Sequence, residues 1–272
     1  MRRRIFDVLV TALVAVWTLV PLVWVVSLSL KPATLQNDGR FLPDSPTLDN
    51  YTGLFTKPMF TSALANSVGI SLIATTASVA VGAVAAYAIA RLRFRGSRAV
   101  LAVALSLTMF PAIALVGPLF TLWTELGLFD TWLGLIIPYV SFSLPLAIWL
   151  LTAFFRTIPA DLEESAQVDG ATRLQALLRV ILPVAAPGVV TTFLLTFIAC
   201  WGEFLFAISL TSTESSRTVP AALAFFTGDS EFQQPYGAIA AAALLVTVPV
   251  VVLVLLAQRR IVAGLTSGAV KG

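Results

Sequence analysis

The stretch VLVTALVAVWTLVPLVWVVSLSL, Val8 to Leu30, runs for twenty-three residues without a charge, and its reading decides the class of fold. At about 1.5 Å of rise per residue a helix of this length crosses the ~30 Å hydrocarbon layer of a bilayer. The preceding Met1-Arg2-Arg3-Arg4 has the charge of a secretory signal. The apolar run is too long for one and shows no small-residue cleavage site, so it reads as a retained first helix with its arginines on the cytoplasmic side.

Working outward, five further runs of bilayer length follow: Ala63 to Ala90, Ala99 to Thr124, Thr131 to Phe155, about Pro187 to Leu210 and about Tyr236 to Ala257. The expected fold is therefore an all-α integral membrane protein with six transmembrane helices. The whole composition agrees: 272 residues, 58% hydrophobic and 11% charged, with mean hydropathy +0.93, leave too little polar surface for a water-soluble globule. Three segments are expected. Residues 1–62 hold the first span and an extracytoplasmic loop, 63–257 a five-helix core with a cytoplasmic loop at about 156–183, and 258–272 a cytoplasmic tail.

Charge sets the direction. The N-terminus, second loop, fourth loop and tail together carry thirteen Lys and Arg, the opposite side four. This asymmetry places both termini in the cytoplasm. It also accounts for the net charge of +3 without nucleic acid, for which no aromatic-basic surface is present.

Chemistry on this chain is constrained by what it lacks. It has no histidine and a single cysteine, Cys200, and none of Lys31, Lys57 and Lys271 follows a glycine, so there is no phosphate-binding Walker A loop. Prolines within the runs, among them Pro21, Pro111, Pro118, Pro138, Pro145 and Pro249, predict kinks whose freed carbonyls need neighbours, hence a bundle. Gly69, Gly82, Ala83, Ala86 and Ala90 offer the second span a close-packing face.

The fourth loop has a helical design of its own. Pro159 suits a first helical position, Asp161, Glu163 and Glu164 put negative charge at the positive end of the dipole, and Asp169-Gly170 offers a left-handed cap. Thr172 and Gln175 form a capping box for a second helix. The first helix presents a small, weakly apolar surface from Leu162 and Ala166, with Ser165 and Val168 beside them. Such a surface suits a partner's groove, and equally suits the chain's own helix ends.

These residues resemble a known family. Glu164-Ser165-Ala166-Gln167-Val168-Asp169-Gly170-Ala171-Thr172, followed by Val180-Ile181-Leu182-Pro183, is similar to the EAA loop of ABC importer permeases, with serine for the second motif residue and valine for the distal isoleucine. Trp201-Gly202-Glu203-Phe204 resembles the tryptophan-asparagine-glutamate segment of the maltose-type carbohydrate permeases, and Gly264 to Gly272 resembles their tail. Within that group, Gly127 to Trp132 and the opening of the first loop are most similar to trehalose-importing permeases.

The resemblance implies the type I ABC importer permease fold and a pore subunit that is not itself an enzyme. Leu162, Glu164, Ser165, Ala166, Asp169, Gly170 and Ala171 would then couple to an ATPase subunit. This chain would carry no cofactor, with ATP and Mg held by the partner ATPase dimer. A second permease, an extracytoplasmic sugar-binding lipoprotein and the sugar complete the implied assembly in the inner membrane.

Of fourteen acidic residues, Glu203 alone falls well inside an expected span. A carboxylate facing lipid costs several kcal/mol, so it should face the bundle, water or the outer interface. One reading has it line a sugar pathway with Trp201, with Asn66 and Ser67 as further lining; the other makes it a structural glutamate. A self-contained secondary transporter is the alternative for the whole chain, but it should show inverted repeats and midplane ionisable groups. A membrane-embedded enzyme needs a polar or metal-binding cluster at one depth, which this sequence does not offer.

Overall fold

The protein, seen in a computed structural model that describes residues 2–92, 94–226 and 235–269, is built of helices, with no strand among those residues. In chain order they are α1 (Arg2–Ser29), α2 (Asp49–Phe55), α3 (Pro58–Arg91), α4 (Ser97–Thr108), α5 (Ile113–Glu125), α6 (Trp132–Thr157), α7 (Asp161–Val168), α8 (Arg173–Ala176), α9 (Leu182–Val184), α10 (Ala186–Trp201), α11 (Leu205–Leu210), α12 (Val219–Leu223) and α13 (Tyr236–Ala269). A π-turn at Leu177–Ile181 joins α8 to α9. The expected tail motif at 264–272 runs out of the described residues at 270.

Four of these helices, α1, α3, α6 and α13, are long and apolar enough to span a membrane unbroken. Two bent pairs supply the other crossings, which gives six in all when each pair is one span. The third span, expected from Ala99 to Thr124 with a kink at Pro111, is bent there to the point of breaking: α4 and α5 meet at 90°. Pro111 lies in the break, where it donates no N–H and biases Phe110 away from helical backbone. Pro21, Pro118, Pro138, Pro145 and Pro249, by contrast, sit inside unbroken helices.

The fifth span also differs from the expected Pro187 to Leu210. It starts earlier, at Arg173, bends by 83° around Ala185, and ends at Trp201. Beyond it, Gly202–Phe204 interrupts the helix before α11. Hydropathy finds apolar length but is blind to a bend inside it.

The chain forms two compact units. The first, residues 1–62 and 222–249, is organised around a buried cation. Lys31 is fully buried, its Nζ 2.5 Å from Asp38 Oδ1, 2.6 Å from the Arg40 carbonyl and 5.4 Å from the Trp24 ring centre. Asn50 Nδ2 donates to the Ser29 and Lys31 carbonyls, so α2 is fastened to the end of α1.

In the second unit, residues 63–221 and 250–272, α3 and α6 run alongside each other with a packed cluster at each end. At the Arg91 end, Ala83 and Tyr87 of α3 meet Leu151 and Phe155 of α6 and Leu177 and Ile181 of the π-turn. At the other end Ile70, Trp123, Tyr139, Cys200 and Phe206 come together. Lipid is as apolar as these side chains, so their contribution is close contact rather than water exclusion. Gly82 allows it: a Cβ there would stand 3.1 Å from that of Ala147 on α6.

Candidate coupling loop and the interior polar residues

Helix α7 begins at Asp161 with Ala160 as its cap, so Pro159 lies just before the helix rather than in its first turn. Its end is a Schellman motif. The Gly170 N–H donates to Gln167 O at 3.0 Å, the Ala171 N–H to Ala166 O at 2.9 Å, and Gly170 has φ +88°. Thr172 then opens α8 by a reciprocal capping box, its Oγ1 accepting from Gln175 N while its own N–H donates to Gln175 Oε1. Helix, turn and helix follow from residues that are local in sequence.

The faces of α7 are sharply divided. Leu162, Glu164, Ser165 and Asp169 are exposed, as is Val168, while Ala166 and Ala171 are half-buried. Ser165 Oγ returns its proton to the Asp161 carbonyl. One residue goes the other way: Glu163, 7% exposed. The sequence marked Glu163 only as helix-dipole charge; in the structure it ties α7 to α3. Tyr87 Oη donates to Glu163 Oε1, Gln167 Nε2 donates to the same oxygen at 3.2 Å, and Arg91 Nε stands 3.5 Å from Oε2. Arg91 Nη2 also donates to Ile158 O, at the C-terminus of α6. The available signal was the i, i+4 pair Tyr87 and Arg91 closing an apolar span, which needs a carboxylate partner that sequence does not locate.

At the other end of α3, Asn66 and Ser67 hold the 212–219 segment. Asn66 Nδ2 donates to the carbonyls of Glu214 and Arg217, its Oδ1 accepts from Trp132 Nε1, and Ser67 Oγ accepts from Val219 N. Asp130, at φ +57°, braces the same segment by accepting from Ser212 N, Thr213 N, Thr213 Oγ1 and Ser216 Oγ. Burial works against the Asp130 charge, but the hydrogen bonds of Ser216, Thr213 and Ser212 outweigh it and bring its pKa from 3.8 down to about 2.

Glu203 stands in the break after α10. Its Oε1 accepts from Phe206 N at 2.8 Å and its Oε2 from Ala207 N at 3.1 Å, so the carboxylate starts α11. Trp201 is buried and stacks on Phe197, ring centres 5.5 Å apart. Gly202 and Phe204 are exposed on either side of Glu203.

Helices long and apolar enough to cross a membrane, with a capped, half-anchored helix between two of them, define a multi-pass helical membrane protein. The profile of the family described as binding-protein-dependent transport system inner membrane component matches residues 78–267, and the chain belongs to that family. It is a multi-pass cell-membrane protein and a permease subunit of an ABC importer, not its ATPase.

Among its relatives, the trehalose transport system permease protein SugB of Mycobacterium tuberculosis is 54% identical over 271 residues, covering 100% of this chain and 99% of that one. The trehalose/maltose transport system permease protein MalG of Thermococcus litoralis is 38% identical and covers 99% and 98%. A crystal structure of a bacterial ABC transporter involved in the import of the acidic polysaccharide alginate matches with TM-score 0.80 at 25% identity, over 95% of this chain and 97% of that one.

Proposed function

We propose that this chain lines half of the pathway of an ATP-driven importer for a small sugar, a disaccharide of the trehalose kind. A second, different permease supplies the other half. A separate ATPase dimer binds ATP and Mg and receives α7 on the cytoplasmic face, and an extracytoplasmic binding lipoprotein delivers the sugar. Both termini lie in the cytoplasm in this reading, as the charge asymmetry supports.

The observation that carries the reading is the division of α7. Leu162, Glu164 and Val168 are exposed on a helix that is rigidly capped at Gly170 and anchored from behind by Glu163. A helix held on one face and open on the other suits a groove in a partner. The names of the two sugar-transporting relatives support the substrate class.

For the pathway, we put Trp201 and Glu203 at its wall. Irregular backbone at membrane depth is tolerated where it is covered by protein or faces a water-filled cavity, and Gly202–Phe204 is such a segment. Asn66 and Ser67 have their polar atoms engaged within the chain, so they support the wall rather than touch sugar.

The test is uptake. Deleting the gene should abolish accumulation of labelled trehalose, a plasmid copy should restore it, and a tagged chain should bring down a nucleotide-hydrolysing subunit. Uptake by the isolated chain in vesicles without ATP would instead establish the secondary transporter.

A further inference from the structure

We propose that α3 is a transmembrane push rod, joined to the coupling helix by Glu163 at its inner end and to the outer 212–219 segment by Asn66 and Ser67 at the other, so that the two ends move together. The inference rests on the importer reading for what drives the inner end. Its content, the rod and its two joints, comes from the geometry.

The inner joint has three members. Tyr87 and Arg91 sit one turn apart on α3 and grip both oxygens of Glu163, and Arg91 also caps the Ile158 carbonyl. Chain connectivity fastens α7 only to α6 and α8, and Glu163 adds α3 as a third attachment. The joint is largely enclosed: side-chain exposure is 11% for Arg91 and 10% for Glu163. A largely enclosed pair of this kind resists sliding, since parting it leaves charges unpaired where little water reaches.

The rod is stiff. From Asn66 to Tyr87 the axis covers about 31 Å at about 1.5 Å per residue, and α3 contains no proline beyond Pro58 at its start. The third and fifth spans are both sharply bent. At the outer joint the Asn66 Nδ2 donates to two carbonyls of the segment while its Oδ1 accepts from Trp132 of α6, and Ser67 receives the Val219 N–H. The 212–219 segment is thus attached to α3 by three hydrogen bonds and has no continuous covalent path to α7 shorter than α8 through α11. A displacement of α7 can therefore reach the outer segment through α3, beside a second route along α6, whose outer end at Asp130 and Trp132 also binds that segment; the Glu163 variant reads the α3 share.

The experiment uses the assembled transporter in proteoliposomes. Glu214 is exposed and its side chain takes no part in either joint, so Glu214→Cys gives a reporter there, while Cys200, the single native cysteine, is buried. Maleimide labelling from outside is followed with and without vanadate trapping of ATP. The labelling rate should change on trapping, and Glu163→Gln should reduce that change about tenfold, within the range of ordinary coupling energies, while ATP hydrolysis continues. Tyr87→Phe, which keeps the ring in the core, should act in the same direction, and the double variant should be no worse than Glu163→Gln alone.

A Glu163→Gln complex that retains the full trapping response would overturn the rod, as would a wild-type reporter that does not respond to trapping. Additive losses in the double variant would count the same way, because they would mean the two residues do not share one joint. Failure of the importer reading itself looks different: no ATPase would copurify with the wild type.

Discussion

Tyr87 and Glu163, 76 positions apart in the chain, share a hydrogen bond at the buried foot of α3. The tyrosine has two duties there, since its ring lies in the cluster with Leu151, Phe155 and Leu177 while its hydroxyl reaches the coupling helix.

The two duties separate by mutation. Tyr87→Ala removes the ring and leaves a cavity, at a cost of about 3–5 kcal/mol, so the amount of monodisperse protein extracted from membranes should fall severalfold. Tyr87→Phe should be extracted at close to the normal level. Size-exclusion chromatography of a fluorescently tagged chain reads both.

Gly170 has φ +88° and open space where a Cβ would go. The penalty for a side chain is therefore one of backbone alone, about 1–2 kcal/mol for a residue in the left-handed region. Gly170→Val should lower uptake per ATP hydrolysed while leaving the protein in the membrane, and Gly170→Asn should be much milder. Parallel uptake and ATPase measurements decide it.

Asp130 collects four donors from the 212–216 segment. Its folded pKa is depressed from 3.8 to about 2, so its stabilisation is present in full above pH 4 and is lost as pH falls from about 4 to 2. Between pH 5 and 8 this group should make stability flat. Asp130→Asn should lower the apparent Tm by several degrees at pH 7, given about 1.5–3 kcal/mol for hydrogen bonds to a charged group, and by little at pH 2. Thermal unfolding in detergent across that range is the check.

Lys31 is the buried centre of the first unit, and its amine holds the Asp38 carboxyl below the usual carboxylate range, with the Arg40 N–H assisting. Lys31→Met fills similar volume but strands the Asp38 carboxylate and the Arg40 carbonyl. The stretch from 32 to 48 should become open to protease at least tenfold faster, read by limited proteolysis and mass spectrometry, while α1 stays in the membrane.

How much of this was legible in the sequence depended on range. Spans and the caps at Gly170 and Thr172 were readable because hydropathy and capping are local. A kink at Pro111 was expected, but its 90° and the 83° bend at Ala185 were not, because Pro111 marks a break while five other prolines flagged alike are absorbed into intact helices. The interior polar residues were visible as anomalies but not as pairs. Asn66 finds its carbonyls 148 and 151 positions away, and Glu163 looked like helix-dipole charge until α3 was beside it. For Glu203, the sequence flagged a carboxylate needing a partner; the partners proved to be the N–H groups of Phe206 and Ala207, three and four residues on.

The bend at Ala185 has the geometry to convert one kind of motion into another. With 83° between its arms, a stiff fifth span would work like a bell crank, a sideways nudge on the short arm, Arg173 to Val184, swinging the long arm through an arc. Sixteen helical residues make a long arm of about 24 Å, so a turn of about 5° at the elbow carries Trp201 roughly 2 Å. A small turn at the elbow would thereby become a larger displacement beside the break at Gly202.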